Sequence, residues 1–178
     1  GREGLEPVRK RPGMYIGGTD DKGLHHLVSE VLDNSMDEAV AGFASKIDIV
    51  FASENEISIS DNGRGIPIDF HPKFPDKTAL EVIFCTLHAG GKFSDKNYLT
   101  SGGLHGVGIS VVNALSEKLT VEVVKNRVCY SQSFSKGIPL GKLLKLGEKK
   151  IKSGPKITFS PDKAIFSGNK LFNPEKIY

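Results

Sequence analysis

The sequence predicts an α+β fold, a two-layer sandwich with helices on one face of a mixed, mostly antiparallel sheet. Three observations carry that expectation. An amphipathic segment of helical period runs from about Lys22 to Gly42, alternating segments follow in hairpin-linked pairs, and a glycine-rich run opens straight into a second apolar helical segment. A length of 178 residues suits one domain with a real core. The contents of 38% hydrophobic and 25% charged residues are those of a soluble globular chain. A net charge of +3 is too small to argue nucleic-acid binding by itself. Cys85 and Cys129 lack any C-x-x-C spacing, so they read as packed thiols in a reducing, cytoplasmic setting. No membrane span or signal peptide is visible, and the first and last residues read as those of a piece excised from a longer chain.

The elements follow in order. Gly4 to Gly18 is broken by Pro7, Pro12, Gly13, Gly17 and Gly18, which predicts a short helical turn and a loop. In the long helix, Leu24, Leu27, Val28, Val31, Leu32, Ser35, Ala39 and Val40 recur at helical spacing, and Gly42 ends it. Lys46–Phe51 and Glu56–Ser60 alternate as strands around a Ser53-Glu-Asn55 turn. Asp61–Pro67 and the stretch holding Pro72 and Pro75 read as loops, followed by a helix from Thr78 to about His88. A long connection from Ala89 to Ser101 has the length of a functional lid. Strands are expected at Lys118–Val124, Arg127–Ser135 and Lys156–Ser160, with a lysine-rich solvated loop (Lys142, Lys145, Lys149, Lys150, Lys152) between the last two.

Three constellations carry chemistry. On the long helix, Glu30, Asp33, Asn34, Asp37 and Glu38 form one polar stripe, and no lysine or arginine follows Lys22 to pair with it. An amide oxygen flanked by carboxylates suits a hydrated Mg²⁺, and a carboxylate beside it can deprotonate an attacking water. Asp61-Asn-Gly-Arg-Gly-Ile-Pro67 follows a strand; Asn-Gly alone signals only a turn. Its remaining residues suit a nucleobase: Asp61 to accept from an exocyclic amine, Gly65 to admit a flat ring, Ile66 and Pro67 as an apolar wall. The third is Thr100–Ser116, with Gly102, Gly103, Gly106 and Gly108 leading into the helix. Backbone N–H groups and a helix N-terminus there form an anion cradle, and the missing Gly-Lys-Ser/Thr excludes a Walker P-loop. Lys92, set among Ala89-Gly-Gly, can swing onto a phosphate; His105 lies inside the run with its role open. His25 and His26 are adjacent and face different directions, which argues against a metal pair, and no nucleophilic triad is present.

Glu30-x-x-Asp33-Asn34, Asp61-x-Gly63-x-Gly65 and Gly102-Gly103-x-x-Gly106-x-Gly108, in this order, resemble the motifs of the GHKL ATPases. Longer segments (Pro-Val-Arg-Lys-Arg-Pro-Gly-Met-Tyr-Ile-Gly, Leu-His-Ala-Gly-Gly-Lys-Phe, Ser-Gly-Gly-Leu-His-Gly-Val-Gly) resemble the B subunits of bacterial type IIA topoisomerases over nearly the whole chain. Gly4-Leu-Glu-Pro-Val, Asp33-Asn-Ser-Met-Asp-Glu, His71-Pro-Lys-Phe-Pro and Lys96-Asn-Tyr resemble the topoisomerase IV branch more than gyrase.

The resemblance implies the Bergerat fold, residues 1–178 as an N-terminal ATPase domain, and ATP with Mg²⁺ as ligands. Glu30 matches the general base, Asn34 the Mg²⁺ ligand and Asp61 the adenine acceptor, with Gly63 and Gly65 beside it. Arg64 and Pro67 match the rim on which ATP-site inhibitors stack. Ile66 and Ile83 would wall the base pocket, with Val31, Ile59 and Ile157 deeper. Lys92 and the backbone of Gly102, Gly103, Leu104, His105, Gly106, Val107 and Gly108 match the phosphate contacts, as a lid that orders on ATP. The family partners are the topoisomerase IV A protein (ParC) in an A2B2 heterotetramer, duplex DNA handled by the full enzyme, and a second copy of the B protein on ATP binding. Without an N-terminal arm and transducer domain, this chain is expected to be a slow, monomeric ATPase. Two positions depart: a family threonine is Pro155, with neither hydroxyl nor N–H, and an arginine near the pocket mouth aligns with Ser131.

Overall fold

The structure is a computed structural model that describes residues 4–87, 108–151 and 153–166. Short helices α1 (Glu6–Lys10) and α2 (Gly13–Ile16) precede the long helix α3 (Asp21–Val40). Asp20 starts α3 by accepting from the backbone N–H groups of Lys22 and Gly23. Strands β1 (Ile47–Ser53) and β2 (Glu56–Asp61) form a hairpin; β3 (Phe70–His71) and β4 (Phe74–Thr78) form a separate small one. Helix α4 (Ala79–Cys85) is capped by Thr78, whose hydroxyl accepts from the Glu81 N–H. Helix α5 (Ile109–Ala114) leads into β5 (Ser116–Lys125), β6 (Val128–Ser135), β7 (Ile138–Pro139), β8 (Leu144–Glu148) and β9 (Gly154–Pro161).

The main sheet runs β1-β2-β9-β5-β6-β7, with β8 also on β6, and every pairing described is antiparallel. The strand at the centre is the last of the described strands in sequence: β9 slots between β2 and β5, in register Ile59↔Ile157 and Val121↔Ile157. Alternation decides the two faces. Ile57, Ile59, Leu119, Val121, Val123, Phe134, Ile157 and Phe159 point into one buried cluster with Leu27, Val28, Val31, Leu80, Phe84, Val111, Val112 and Leu115 of the helices. The opposite face is polar, with hydroxyl pairs Ser58–Thr158 (2.7 Å) and Thr120–Ser133 (2.9 Å). Helices on one face of the sheet are therefore what the chain builds.

Some boundaries differ from the sequence reading. The proline-punctuated stretch after Pro67 holds the β3–β4 hairpin, because Pro75 sits on a two-stranded edge that needs few donors. Arg127 lies in the turn rather than in β6: Asn126 and Arg127 both have positive φ (51° and 69°), as a twisted two-residue hairpin requires. The lysine-rich stretch contains β8, so it is a loop only in part; Cys129↔Gly147 and Tyr130↔Lys145 pair it to β6. The glycine-run helix is short, ending at Ala114, where the chain enters β5. Both cysteines are free thiols: Cys129 is buried, and Cys85 is half-buried with its pKa pushed up to about 12, first by burial and then by Glu81. No described helix is long and apolar enough to cross a membrane.

Candidate functional site

Helix α3 contributes to both ends of the site from one side. Glu30, Asn34 and Glu38 recur every fourth residue and so share a face. That face is not a solvated stripe. Glu30 is only 4% exposed, and its Oε1 accepts from the Gly108 N–H at 3.1 Å. The last glycine of the run is thereby held against the carboxylate. Burial raises the Glu30 pKa from 4.5 to about 7; the Gly108 hydrogen bond opposes the rise and Asp33 adds to it. A carboxyl poised near neutrality suits a proton acceptor. Asn34 is half-buried one turn further along.

At the other end, Asp61 closes β2 and is 7% exposed. Ser35 Oγ donates to its Oδ2 at 2.6 Å, and the Gly63 N–H donates to its Oδ1 at 2.8 Å. Its pKa is shifted up, mainly by burial; these two hydrogen bonds work against that, and nearby Glu38 adds to it. Gly154, the first residue of β9, lies flat on this strand end. A Cβ there would sit 2.1 Å from the Asp61 carbonyl oxygen, and its φ of +133° independently demands glycine. Gly65 also has a left-handed φ, +84°, with a built Cβ 3.0 Å from Val123 Cγ1. The loop from Gly63 is thus pressed onto the sheet, bringing Ile66 (9% exposed) and half-buried Pro67 over it. Ile83 is partly buried against the same core; Val31, Ile59 and Ile157 are buried within it.

One feature corrects the sequence reading and two others add to it. The acidic stripe is not wholly unpaired: Arg64, from the loop rather than the helix, donates to Glu38 through its backbone N–H (2.9 Å) and its guanidinium. The guanidinium also stacks 3.9 Å above the Phe43 ring, so Arg64 is anchored on α3 and the turn beyond it. Ser131 lies mid-strand in β6. It pairs with Glu122 and Leu144, and alternation puts it on the polar face; its neighbour Gln132, opposite Val121, points to the helices. Lys125, at the end of β5, brings a second cation to the loop, donating to the Arg64 carbonyl at 3.3 Å. Burial pushes its ammonium pKa down while Asp69 pulls it up.

Sequence reasoning missed Ser35, Phe43, Lys125 and Gly154. Ser35 had a legible signal, a hydroxyl in an otherwise apolar stripe, and Gly154 had another, a glycine directly before a proline at a strand start. Nothing local marks Phe43 or Lys125. Lys92, Gly102, Gly103, Leu104, His105, Gly106 and Val107 lie outside the described residues, so of the glycine run only Gly108 is placed.

Among the described residues no three His, Cys, Asp or Glu side chains cluster closely enough to hold a metal. Glu30 and Asn34 instead offer hard oxygens spaced one turn apart. That donor set fits a hydrated Mg²⁺ whose shell is completed by water and phosphate, rather than a closed protein cage.

Comparison with known proteins agrees with this arrangement. Residues 19–164 match the family described as histidine kinase-, DNA gyrase B- and HSP90-like ATPase. The chain is 65% identical over 176 residues to the DNA topoisomerase 4 B protein of Rickettsia conorii, covering 99% of this chain and 27% of that protein. It is 53% identical over 175 residues to the DNA gyrase B protein of Staphylococcus epidermidis, covering 98% of this chain and 27% of that one. The crystal structure of the 43K ATPase domain of Thermus thermophilus gyrase B, in complex with an aminocoumarin, superposes with a TM-score of 0.82. It is 44% identical, and the match covers 97% of this chain and 43% of that one. The chain thus spans about a quarter of the curated relatives it matches. Sequence, fold and the meeting of Glu30, Gly108 and Asp61 around α3 agree: the chain belongs to the histidine kinase-, DNA gyrase B- and HSP90-like ATPase family.

Proposed function

We propose that this chain is the ATP-binding and ATP-hydrolysing domain of a topoisomerase IV B protein. In the whole enzyme, working with the A protein on chromosomal DNA in the bacterial cytoplasm, nucleotide turnover would drive double-strand passage for decatenation and relaxation. One observation carries the reading: α3 holds Glu30 against the end of the glycine run and Ser35 against Asp61. A single helix therefore serves both ends of one elongated ligand, about 7.5 Å apart along its axis. Asp61 accepts from the adenine amine, with Ile66, Pro67 and Ile83 walling the ring. Asn34 would hold the metal, and Lys92 with the backbone of residues 102–108 would contact the phosphates, as the family resemblance implies. Mg²⁺ bound at Asn34 would neutralise charge on the phosphate oxygens.

Glu30 takes a proton from water as its oxygen bonds to the γ-phosphorus in line; the bond to the β–γ bridging oxygen breaks and ADP leaves. Burial that lifts Glu30 to about 7 supports this role. Gyrase is the second reading, with the same chemistry and supercoiling as output; its relative has the lower identity.

Calorimetric titration with a non-hydrolysable Mg²⁺-ATP analogue, alongside phosphate release, tests the site. Asp61→Asn loses binding, whereas Glu30→Ala keeps binding and loses turnover. Binding untouched by Asp61→Asn would refute the base-site assignment. Assaying the intact B protein with its A partner on relaxed and on catenated DNA separates the two branches. The isolated chain should turn over slowly and stay monomeric in sedimentation; a rate equal to the full enzyme's would sink that part.

A further inference from the structure

We propose that Ser35 is the positioning residue for base recognition, holding Asp61 in the one orientation that distinguishes adenine from a purine without the exocyclic amine. The inference deepens the nucleotide-site reading above and rests on it. Asp61 is pinned through both carboxylate oxygens, Oδ1 by the Gly63 N–H and Oδ2 by Ser35 Oγ. The Gly63 contact is local, two residues on, and only shapes the turn. Ser35 comes from another element, 26 positions away, and is itself 4% exposed. Its 2.6 Å contact has the short length of a hydroxyl on a carboxylate.

The opposite side offers no substitute. Gly154 has no side chain, and Pro155 brings neither hydroxyl nor N–H; Ser153 Oγ is engaged with the Gly63 carbonyl at 2.8 Å. Ser35 is thus the only side chain hydrogen-bonded to Asp61 among the described residues. A carboxylate oxygen accepts more than one hydrogen bond, so Ser35 fixes the Asp61 torsion and leaves acceptor capacity for a ligand amine. With the hydroxyl gone, Asp61 keeps one anchor and its carboxylate can swing towards Arg64, the cation already drawn to neighbouring Glu38. Sites built to hydrogen-bond a substrate group reject analogues lacking it only while that geometry holds.

The test compares the Mg²⁺ complexes of the β,γ-imido analogues of ATP and inosine triphosphate, titrated into the 178-residue chain and its variants, with thermal unfolding recorded in parallel. Hypoxanthine carries an oxygen where adenine carries the amine. The unsubstituted chain prefers adenine; Ser35→Ala lowers that preference about tenfold, mostly by weakening the adenine complex. Ser35→Thr, which keeps the hydroxyl, restores it. A Ser35→Ala chain that discriminates as well as the unsubstituted one would overturn the proposal, as would Ser35→Thr failing to restore preference while melting normally. If the unsubstituted chain shows no adenine preference, it is the base-site assignment of Asp61 that fails.

Discussion

Replacing Glu30 by glutamine should stabilise the nucleotide-free chain at alkaline pH while abolishing turnover. The buried Glu30 carboxyl has its pKa raised from 4.5 to about 7. A raised pKa in the fold means that the protonated form is favoured there. The stabilisation from protonating Glu30 is thus complete below 4.5 and disappears as pH climbs through 7. Above 7 the ionised side chain costs the fold about 3 kcal/mol, the free-energy equivalent of that displacement. Glutamine has the same shape, cannot ionise, and presents an Oε1 that still accepts from the Gly108 N–H. Urea unfolding in EDTA should therefore show Glu30→Gln more stable by about 3 kcal/mol at pH 8.5, falling to under about 1 kcal/mol at pH 5. The melting temperature at pH 8.5 should rise by about 6–12 °C for a chain of this size. Equal or lower stability of the variant at pH 8.5 would show that the carboxylate is solvated or paired in the fold, and the argument for a poised proton acceptor would go with it. A gain in stability with loss of activity is the usual signature of a strained catalytic group.

Other expectations rest on different contacts. Gly154→Ala forces a Cβ against the Asp61 carbonyl oxygen at an unfavourable φ, so it should cost about 2–4 kcal/mol in urea unfolding and weaken nucleotide binding as β9 shifts from β2. Equal stability would show that the strand ends are further apart than described. Arg9 donates to the Ala114 carbonyl (2.8 Å) and to Asp162 (2.7 Å), tying α1 to the end of α5. Burial raises the pKa of Asp162, but the Ala164 N–H and the Arg9 guanidinium outweigh it and the net shift is down. Its stabilisation is accordingly present above the ordinary carboxylate range and lost in stronger acid. Arg9→Ala should cost about 2 kcal/mol at pH 7, with the gap to the unsubstituted chain closing as Asp162 protonates. A gap independent of pH would assign the loss to packing of the Arg9 stem.

The periodic elements were legible because each is locally consistent: α3 is amphipathic and capped, and β1, β2, β5, β6 and β9 alternate. The small β3–β4 hairpin was not, since Pro72 and Pro75 imitate loop composition while an edge ladder tolerates them. Strand β8 was hidden by lysines, which an edge strand carries on its exposed side. At the site, Glu30, Asn34 and Asp61 stood out by residue type and spacing. Ser35 carried a signal, a hydroxyl in an apolar stripe, but its meaning is visible only once Asp61 is seen against it. The placement of Ser131 was hidden for a related reason: one step along a strand reverses the face, and only register reveals which residue points inward.

The sequence by itself determined the α+β class, the family and the chemical character of the groups, because these depend on short-range period and on residue types at fixed spacing. Tertiary structure alone decided which groups meet. The last of the described strands enters the middle of the sheet, laying Gly154 on Asp61. Helix α3 turns its acidic face inward, so that burial lifts Glu30 towards neutrality. The end of β5 brings Lys125 onto the Arg64 carbonyl of the loop. Desolvation and contact across 26 or 78 positions are properties of packing, which no local pattern records.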